Sequence, residues 1–245
     1  MKVSVVLPTY NEAGNIVPLV EEILSVMPNG VKPEVIVVDD ESPDNTYQIA
    51  REKFELVGAV KVFTRTDARG LAKSIRYGIE HATGDYVIVM DSDGEDKPED
   101  IGKLIDKAIQ ENKGKIIFAS RFKRTESFTF IFLYNIYKII FKMLTGKTFN
   151  FGNFSCIPKP LIKNVIDLPF LSSHYAASIL SSKIPHDTIP CQKGIRYAGI
   201  SKMKIHSLVL HGIKSLLVYY KIIPKKFRDS SYKKLVREVD EVKKK

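Results

Sequence analysis

The first 120 residues switch repeatedly between two hydrophobic patterns, and this alternation limits the fold more than any other feature of the chain. Short β-branched runs occur at Val3–Leu7, Val35–Val38, Lys61–Phe63, Tyr86–Met90 and Ile116–Ala119. They are runs rather than strict polar–apolar alternations, as expected of strands buried on both faces. Helical patterns fill the gaps, at roughly 13–27, 45–57, 70–82 and 98–112. In the third, Leu71, Ile75, Gly78, Ile79 and Ala82 share one helix face. The fourth opens Lys97-Pro98-Glu99-Asp100, with proline and acids where free N–H groups favour them. Asp44 or Asn45 suits the N-cap of the second. Strand, helix, strand repeated in this way predicts an α/β fold: a Rossmann-like, mostly parallel sheet with helices on both faces. Ligands of such sheets bind at the carboxyl ends of the strands.

Beyond residue 120 the rhythm breaks. Residues 128–146 are nearly all apolar, with Asn135, Lys138, Lys142 and Thr145 on one narrow stripe at helical spacing. A helix packed in the core is one reading. A wide apolar surface edged by lysines fits better a helix lying in a membrane interface. Lys138 and Lys142 in the second half of the run disfavour a transmembrane span. Residues 206–223 repeat the pattern, with Ser207, His211, Lys214 and Lys221 on one side, and Lys225 to Arg228 follow as KKFR. The expected division is therefore an α/β domain over 1–205, including the apolar helix, and an amphipathic, basic membrane-association segment over 206–245. The N-terminus runs straight into a strand pattern and has no signal-peptide character. Cys156 and Cys191 make neither a disulfide framework nor a close metal-binding pair, which suggests a reducing compartment.

Charge narrows the function further. Lys and Arg total 38 against 28 Asp and Glu, a net of +10. Residues 193–245 hold 15 of the basic residues and 4 of the acidic, a net of +11, which leaves the first 192 residues at −1. A near-neutral body argues against a nucleic-acid-binding core. The surplus sits instead where an anionic membrane surface would attract it.

The strong polar signals all follow strands. The first strand ends in Pro8-Thr9-Tyr10-Asn11-Glu12, the second in Asp39-Asp40-Glu41-Ser42, the fourth in Asp91-Ser92-Asp93-Gly94-Glu95-Asp96. So many carboxylates at adjacent strand ends repel one another unless a cation or a donor-rich ligand sits among them. Asp91 and Asp93 turn their oxygens toward one volume, hard-ligand chemistry suited to Mg²⁺ or Mn²⁺ completed by water and a diphosphate. The chain has neither GxxxxGK[ST] nor GxGxxG, which removes P-loop and dinucleotide folds. The five histidines lack ligand spacing, and Lys73 and Arg76 fall on an exposed helix face.

PTYNE, VVDDESPDNT, RGLAKSIRYGIEHATGDYVIVMDSDGEDKPEDI, ASRF and RYAGISKM, in this order over residues 1–213, resemble family-2 glycosyltransferases of GT-A fold. The likeness is to the branch of dolichyl-phosphate mannose synthases and bacterial polyprenyl-phosphate glycosyltransferases. It implies a nucleotide-sugar donor, a divalent metal and a polyprenyl phosphate acceptor. Position by position, Pro8, Tyr10 and Glu12 would contact the nucleoside and Asp39 would read the base. Gly70 would pass close to the diphosphate, and Asp91, Ser92 and Asp93 would hold the metal and the nucleotide sugar. Glu95 stands where relatives often carry Gln as a third group around the metal. Arg121 and Arg196 match arginines that meet phosphate, and Ser201 and Lys202, in the same RYAGISKM segment as Arg196, would join them at the acceptor phosphate. Many bacterial relatives continue into two transmembrane helices, and no such span is legible here.

The implied reaction inverts the anomeric centre at the cytosolic membrane face, with catalysis by the metal, Asp91, Asp93, Arg121 and Arg196. A phosphate acceptor is already nucleophilic near neutral pH, so positioning and charge stabilisation suffice. A saccharide hydroxyl acceptor would need a proton-accepting carboxylate, with Asp96 or Glu95 the candidates. A nucleotidyltransferase would want a glycine-rich basic loop near the N-terminus, which PTYNE does not provide. An inactive membrane-bound scaffold is a further alternative, against which the intact Asp91 and Asp93 speak.

Overall fold

All five strands read from the sequence form, and two more join them. In a computed structural model they are β1 (Lys2–Thr9), β2 (Lys32–Asp39), β3 (Val60–Thr64), β4 (Tyr86–Val89) and β5 (Ile116–Arg121), followed by β6 (Phe151–Pro158) and β7 (His186–Cys191). The structure describes residues 1–121, 128–146, 151–199 and 205–221, apart from the side chains of 121, 128–134, 205–209 and 211. The strands make one sheet in the order β3-β2-β1-β4-β6-β5-β7. β6 alone runs antiparallel, to both β4 and β5.

The runs are mostly apolar because both faces of the sheet are covered. Val3, Val5 and Leu7 of β1 face one core while Val6 faces the other, and Val35 and Val37 of β2 likewise oppose Ile36 and Val38. The first core takes α1 (Ile16–Val26), α2 (Thr46–Phe54) and α4 (Asp100–Gln110). The second takes α3 (Leu71–His81), α6 (Lys159–Ile166) and α7 (Tyr175–Leu180). Gly78 lets α3 lie directly on β1, since a Cβ there would stand 2.2 Å from Val6 Cγ1. Asn45 takes the cap position of α2 with φ 63° but makes no side-chain cap. The Asp44 carboxylate accepts instead from the Thr46 amide at 3.2 Å and from the Ala13 amide at 3.2 Å.

The two apolar segments form α5 (Phe128–Thr145) and α8 (Ile205–Tyr219). α8 packs on α7 and α5, so the boundary expected at 205/206 falls at its first turn. Phe141 and Val218 are fully buried, and Tyr137 Oη lies 2.6 Å from the buried Ser215 Oγ. The opposite faces stay in solvent: Ile139 is 60% exposed and Met143 80% on α5, Leu210 63% and Ile213 50% on α8. Among the described side chains of α5, one edge thus lies in the core and an apolar face lies outside it. No helix among the described residues is long and apolar enough to cross a membrane.

Candidate active site at the strand ends

β1 sits between β2 and β4, which the chain reaches by crossing in opposite directions, so the crevice of this sheet opens at the carboxyl ends of β1 and β4. Pro8 and Asp91 stand at or just past those ends, and Asp39 closes β2 beside them. Ser92 ties two of them together by donating to the Pro8 carbonyl at 3.0 Å. β6, being antiparallel, begins at this same edge, and its Asn153 Nδ2 donates to Asp91 Oδ1 at 3.2 Å.

One side of the crevice is a cleft of about 360 Å³ lined by Pro8, Thr9, Tyr10, Asp40, Arg69, Gly70, Leu71 and Ser74. The Arg69 guanidinium lies over the Tyr10 ring, 4.9 Å from its centroid, and donates to Tyr10 Oη at 2.8 Å and to the Glu41 carbonyl at 3.2 Å. Beneath the cleft is a buried charged clamp. Arg65, its side chain 2% exposed, pairs with Asp40 and Asp67 and donates to Ser74 Oγ at 2.8 Å and the Ala68 carbonyl at 3.3 Å. Asp40 in turn accepts the Gly70 amide at 2.8 Å. This fixes the turn that carries Gly70 and starts α3 at the cleft. Asp39 is fully buried and accepts the Ser42 amide at 2.9 Å; burial first, then the neighbouring Asp40 and Asp44 charges, raise its pKa against the Ser42 hydrogen bonds. The sequence points to Asp39 and Gly70 and to Asp40 only as part of the acidic strand end, and it gives no sign of the roles of Arg65 and Arg69.

The other side of the crevice is acidic. Asp93 Oδ1 accepts the Glu95 amide at 3.0 Å, and the Asp91 amide donates to the buried Asp96 at 3.1 Å. Gly94 takes φ +79°, and a Cβ there would lie 2.7 Å from the Tyr197 ring. Over this turn lies Arg196, which reaches Asp93 Oδ2 at 2.5 Å, Glu95 Oε1 at 3.1 Å and Glu12 Oε1 at 3.8 Å. Lys193 takes Glu95 Oε2 at 3.1 Å. Burial is the largest influence on Asp93 and raises its pKa; the Glu95 and Asp96 charges add to this, while the Glu95 amide and Arg196 oppose it.

The donor set suits a hard divalent cation, being all carboxylate oxygen. Mg²⁺ and Mn²⁺ typically take one or two carboxylates and fill the rest with phosphate and water. Among the described residues no three His, Cys, Asp or Glu side chains converge as a ligand group. Asp91 and Asp93 could offer carboxylate oxygens to such an ion, while Glu95, expected as a third member, is turned to Arg196 and Lys193 in this arrangement. Of the phosphate-binding candidates, Arg196 arrives at the acidic edge. The Arg121 side chain, Ser201 and Lys202 lie outside the described residues. Lys214 of α8 has its pKa lowered by desolvation and by the charge of Lys73 on α3, which brings α8 near the cleft turn.

In sequence and in fold the chain resembles known proteins. Residues 4–163 match the family model described as Glycosyl transferase family 2. A dolichol-phosphate mannosyltransferase of Pyrococcus furiosus is 43% identical over 125 residues, which is 50% of this chain and 34% of that protein. An undecaprenyl-phosphate 4-deoxy-4-formamido-L-arabinose transferase of Klebsiella pneumoniae is 27% identical over 201 residues, 76% of this chain and 59% of that one. The chain thus matches between about a third and three-fifths of the length of these relatives. Among solved structures, a mannosyltransferase from Pyrobaculum calidifontis in complex with GDP-Man and Mn²⁺ superposes with a TM-score of 0.61 at 20% identity, covering 94% of this chain and 68% of that one. The likeness shows a GT-A fold.

Proposed function

The chain belongs to glycosyl transferase family 2, and on that premise we propose that it moves a sugar from a UDP- or GDP-sugar to a polyprenyl phosphate at the cytosolic face of a membrane. One observation carries the reading: the Tyr10–Gly70 cleft, the Asp91–Asp93 pair and Arg196 meet at a single sheet edge. The nucleoside would occupy the cleft against Pro8 and Tyr10, with Glu12 and Asp39 beside it. The diphosphate would extend past Gly70 and the first turn of α3, whose free N–H groups favour anions, toward Ser92. A divalent cation held by Asp91 and Asp93 would neutralise the charge developing on the departing diphosphate.

An oxygen of the acceptor phosphate attacks the anomeric carbon from the face opposite the diphosphate. The new C–O bond forms as the old one breaks, and the nucleoside diphosphate leaves with the electron pair. Arg196, joined by Arg121, Ser201 and Lys202, orients the acceptor phosphate; the planar guanidinium fork suits two of its oxygens at once. A hydroxyl acceptor would instead require a carboxylate base. Asp96 is poorly suited to that role, being 3% exposed and bonded to the Asp91 amide.

The lipid side is supported by the apolar faces of α5 and α8, edged by Lys138, Lys142, Lys214 and Lys221. Such faces bury into the headgroup boundary of an anionic leaflet. On this reading residues 1–205 are the catalytic domain and 206–245 the membrane-associating segment. Incubation with labelled UDP- and GDP-sugars, a divalent salt and either polyprenyl phosphate or free saccharides tests the assignment. Label should enter the lipid phosphate from one nucleotide series. Label entering only saccharide, or neither acceptor, would refute it.

A further inference from the structure

We propose that Arg196 and the divalent cation are alternative occupants of Asp93, so that residues 192–199 form a strap latched over the metal pair until the cation arrives. The proposal rests on the reading of Asp91 and Asp93 as the metal pair and concerns what holds that pair without metal.

The strap leaves β7 and runs back across the strand ends to the first turn of α1. Its Gly194 amide donates to the Glu95 carbonyl at 2.7 Å and its Ala198 amide to Asn15 Oδ1 at 2.7 Å. Tyr197 bonds Glu22 through its hydroxyl and lays its ring on Gly94, where no other residue leaves room. Arg196 is thereby carried into three carboxylates, Asp93, Glu95 and Glu12. The strap thus brings positive charge to this acidic edge.

Competition follows from the two oxygens of Asp93. Oδ1 accepts the Glu95 amide at 3.0 Å, a bond within its own turn, and Oδ2 accepts Arg196 at 2.5 Å. Mg²⁺ coordinates oxygen ligands at about 2.0–2.1 Å. Bound at Oδ2, it would stand next to the guanidinium, and like charges at such separation repel strongly. Arg196 is the partner that can leave, because its side chain is long and Glu95 and Glu12 remain as neighbours. The cation that loads the donor thus also frees the arginine that meets an incoming phosphate.

Mn²⁺ binding to the nucleotide-free chain, followed by electron paramagnetic resonance of the free ion, tests the competition. Arg196→Gln should tighten Mn²⁺ binding by about tenfold or more, the change expected on removing one competing charge-assisted hydrogen bond. Lys193→Gln removes the same charge from the same strap without touching Asp93 and should tighten it less. Equal gains in the two variants would reveal a general charge effect and overturn the latch, as would weaker binding in Arg196→Gln. Asp93→Asn should abolish the site; if it does not, the metal-pair reading itself fails. Hydrogen exchange of peptides over 192–199, measured on the wild-type chain with and without Mg²⁺, needs no variant. Faster exchange with the ion supports release of the strap, and unchanged or slower exchange overturns it.

Discussion

Arg65→Met tests whether the buried clamp beneath the cleft is held by its single cation. Methionine keeps much of the stem volume and removes the charge. Asp40 and Asp67, each with a side chain 7% exposed, are then left facing each other's charge without Arg65. Removing one partner of a buried pair in this way costs about 3–5 kcal/mol. For a chain of this size, each kcal/mol lowers the melting temperature by roughly 2–4 °C, so a fall of about 6–20 °C is expected. The Ser74, Ala68 and, through Asp40, Gly70 contacts are loosened with it, so nucleoside diphosphate affinity should weaken as well. Urea denaturation at unchanged m-value and a calorimetric titration with UDP and GDP measure the two effects. The double variant Arg65→Met/Asp40→Asn removes one stranded charge yet keeps an acceptor for the Gly70 amide. It should recover roughly 1 kcal/mol or more over the single variant, a coupling expected only of residues in direct contact. A single variant within about 1 kcal/mol of wild type, or a double variant no more stable than the single, would refute the reasoning.

Asp93→Ala should lower transfer by roughly 100-fold or more while far-ultraviolet circular dichroism stays unchanged, because the lost group stabilises charge at the reacting centre rather than the core. Replacing Ile136, Ile140 and Met143 with Glu should release the chain from anionic vesicles in a flotation assay; Ile136 is 37%, Ile140 44% and Met143 80% exposed, so folding should survive. Glu34→Gln should destabilise the chain in a pH-dependent way. Burial alone would raise the Glu34 carboxyl, but hydrogen bonds from Ser4, the Thr83 amide, Lys2 and Lys61 outweigh it and hold the pKa far below the ordinary 4.5. A depressed carboxyl contributes stability above its unfolded pKa and loses it as pH falls toward its folded one. The gap between variant and wild type in thermal denaturation should therefore be full above about pH 5 and shrink steadily below pH 4.5.

The first five strands and four helices were legible because each carries its own pattern within a dozen residues, and doubly buried strands have no choice but to be mostly apolar. β6 and β7 carry no such pattern. Phe151–Pro158 contains glycine, asparagine and proline, and His186–Cys191 is an edge strand with Pro190 and a polar first half. β6 is a strand because β4 and β5 offer ladders on both sides of it, and its antiparallel direction turned Asn153 to Asp91. α5 and α8 were visible as apolar runs, but which edge enters the core was decided by Phe141, Val218 and the Tyr137–Ser215 contact.

The site divides along the same line. Asp39, Asp91 and Asp93 could be read from the sequence because their position after a strand is a local property, and parallel strands bring their carboxyl ends to one edge. Arg65 on Asp40, Arg69 on Tyr10 and Arg196 on Asp93 join residues 25, 59 and 103 positions apart. A long cation carries no local sign of which carboxylate it will meet, since that depends on where separate turns come to rest. The alternating architecture, the acidic strand ends and the basic C-terminal region are all written locally in the chain. Which charges neutralise which is settled by the fold, because pairing energy depends on distance through space and not along the chain.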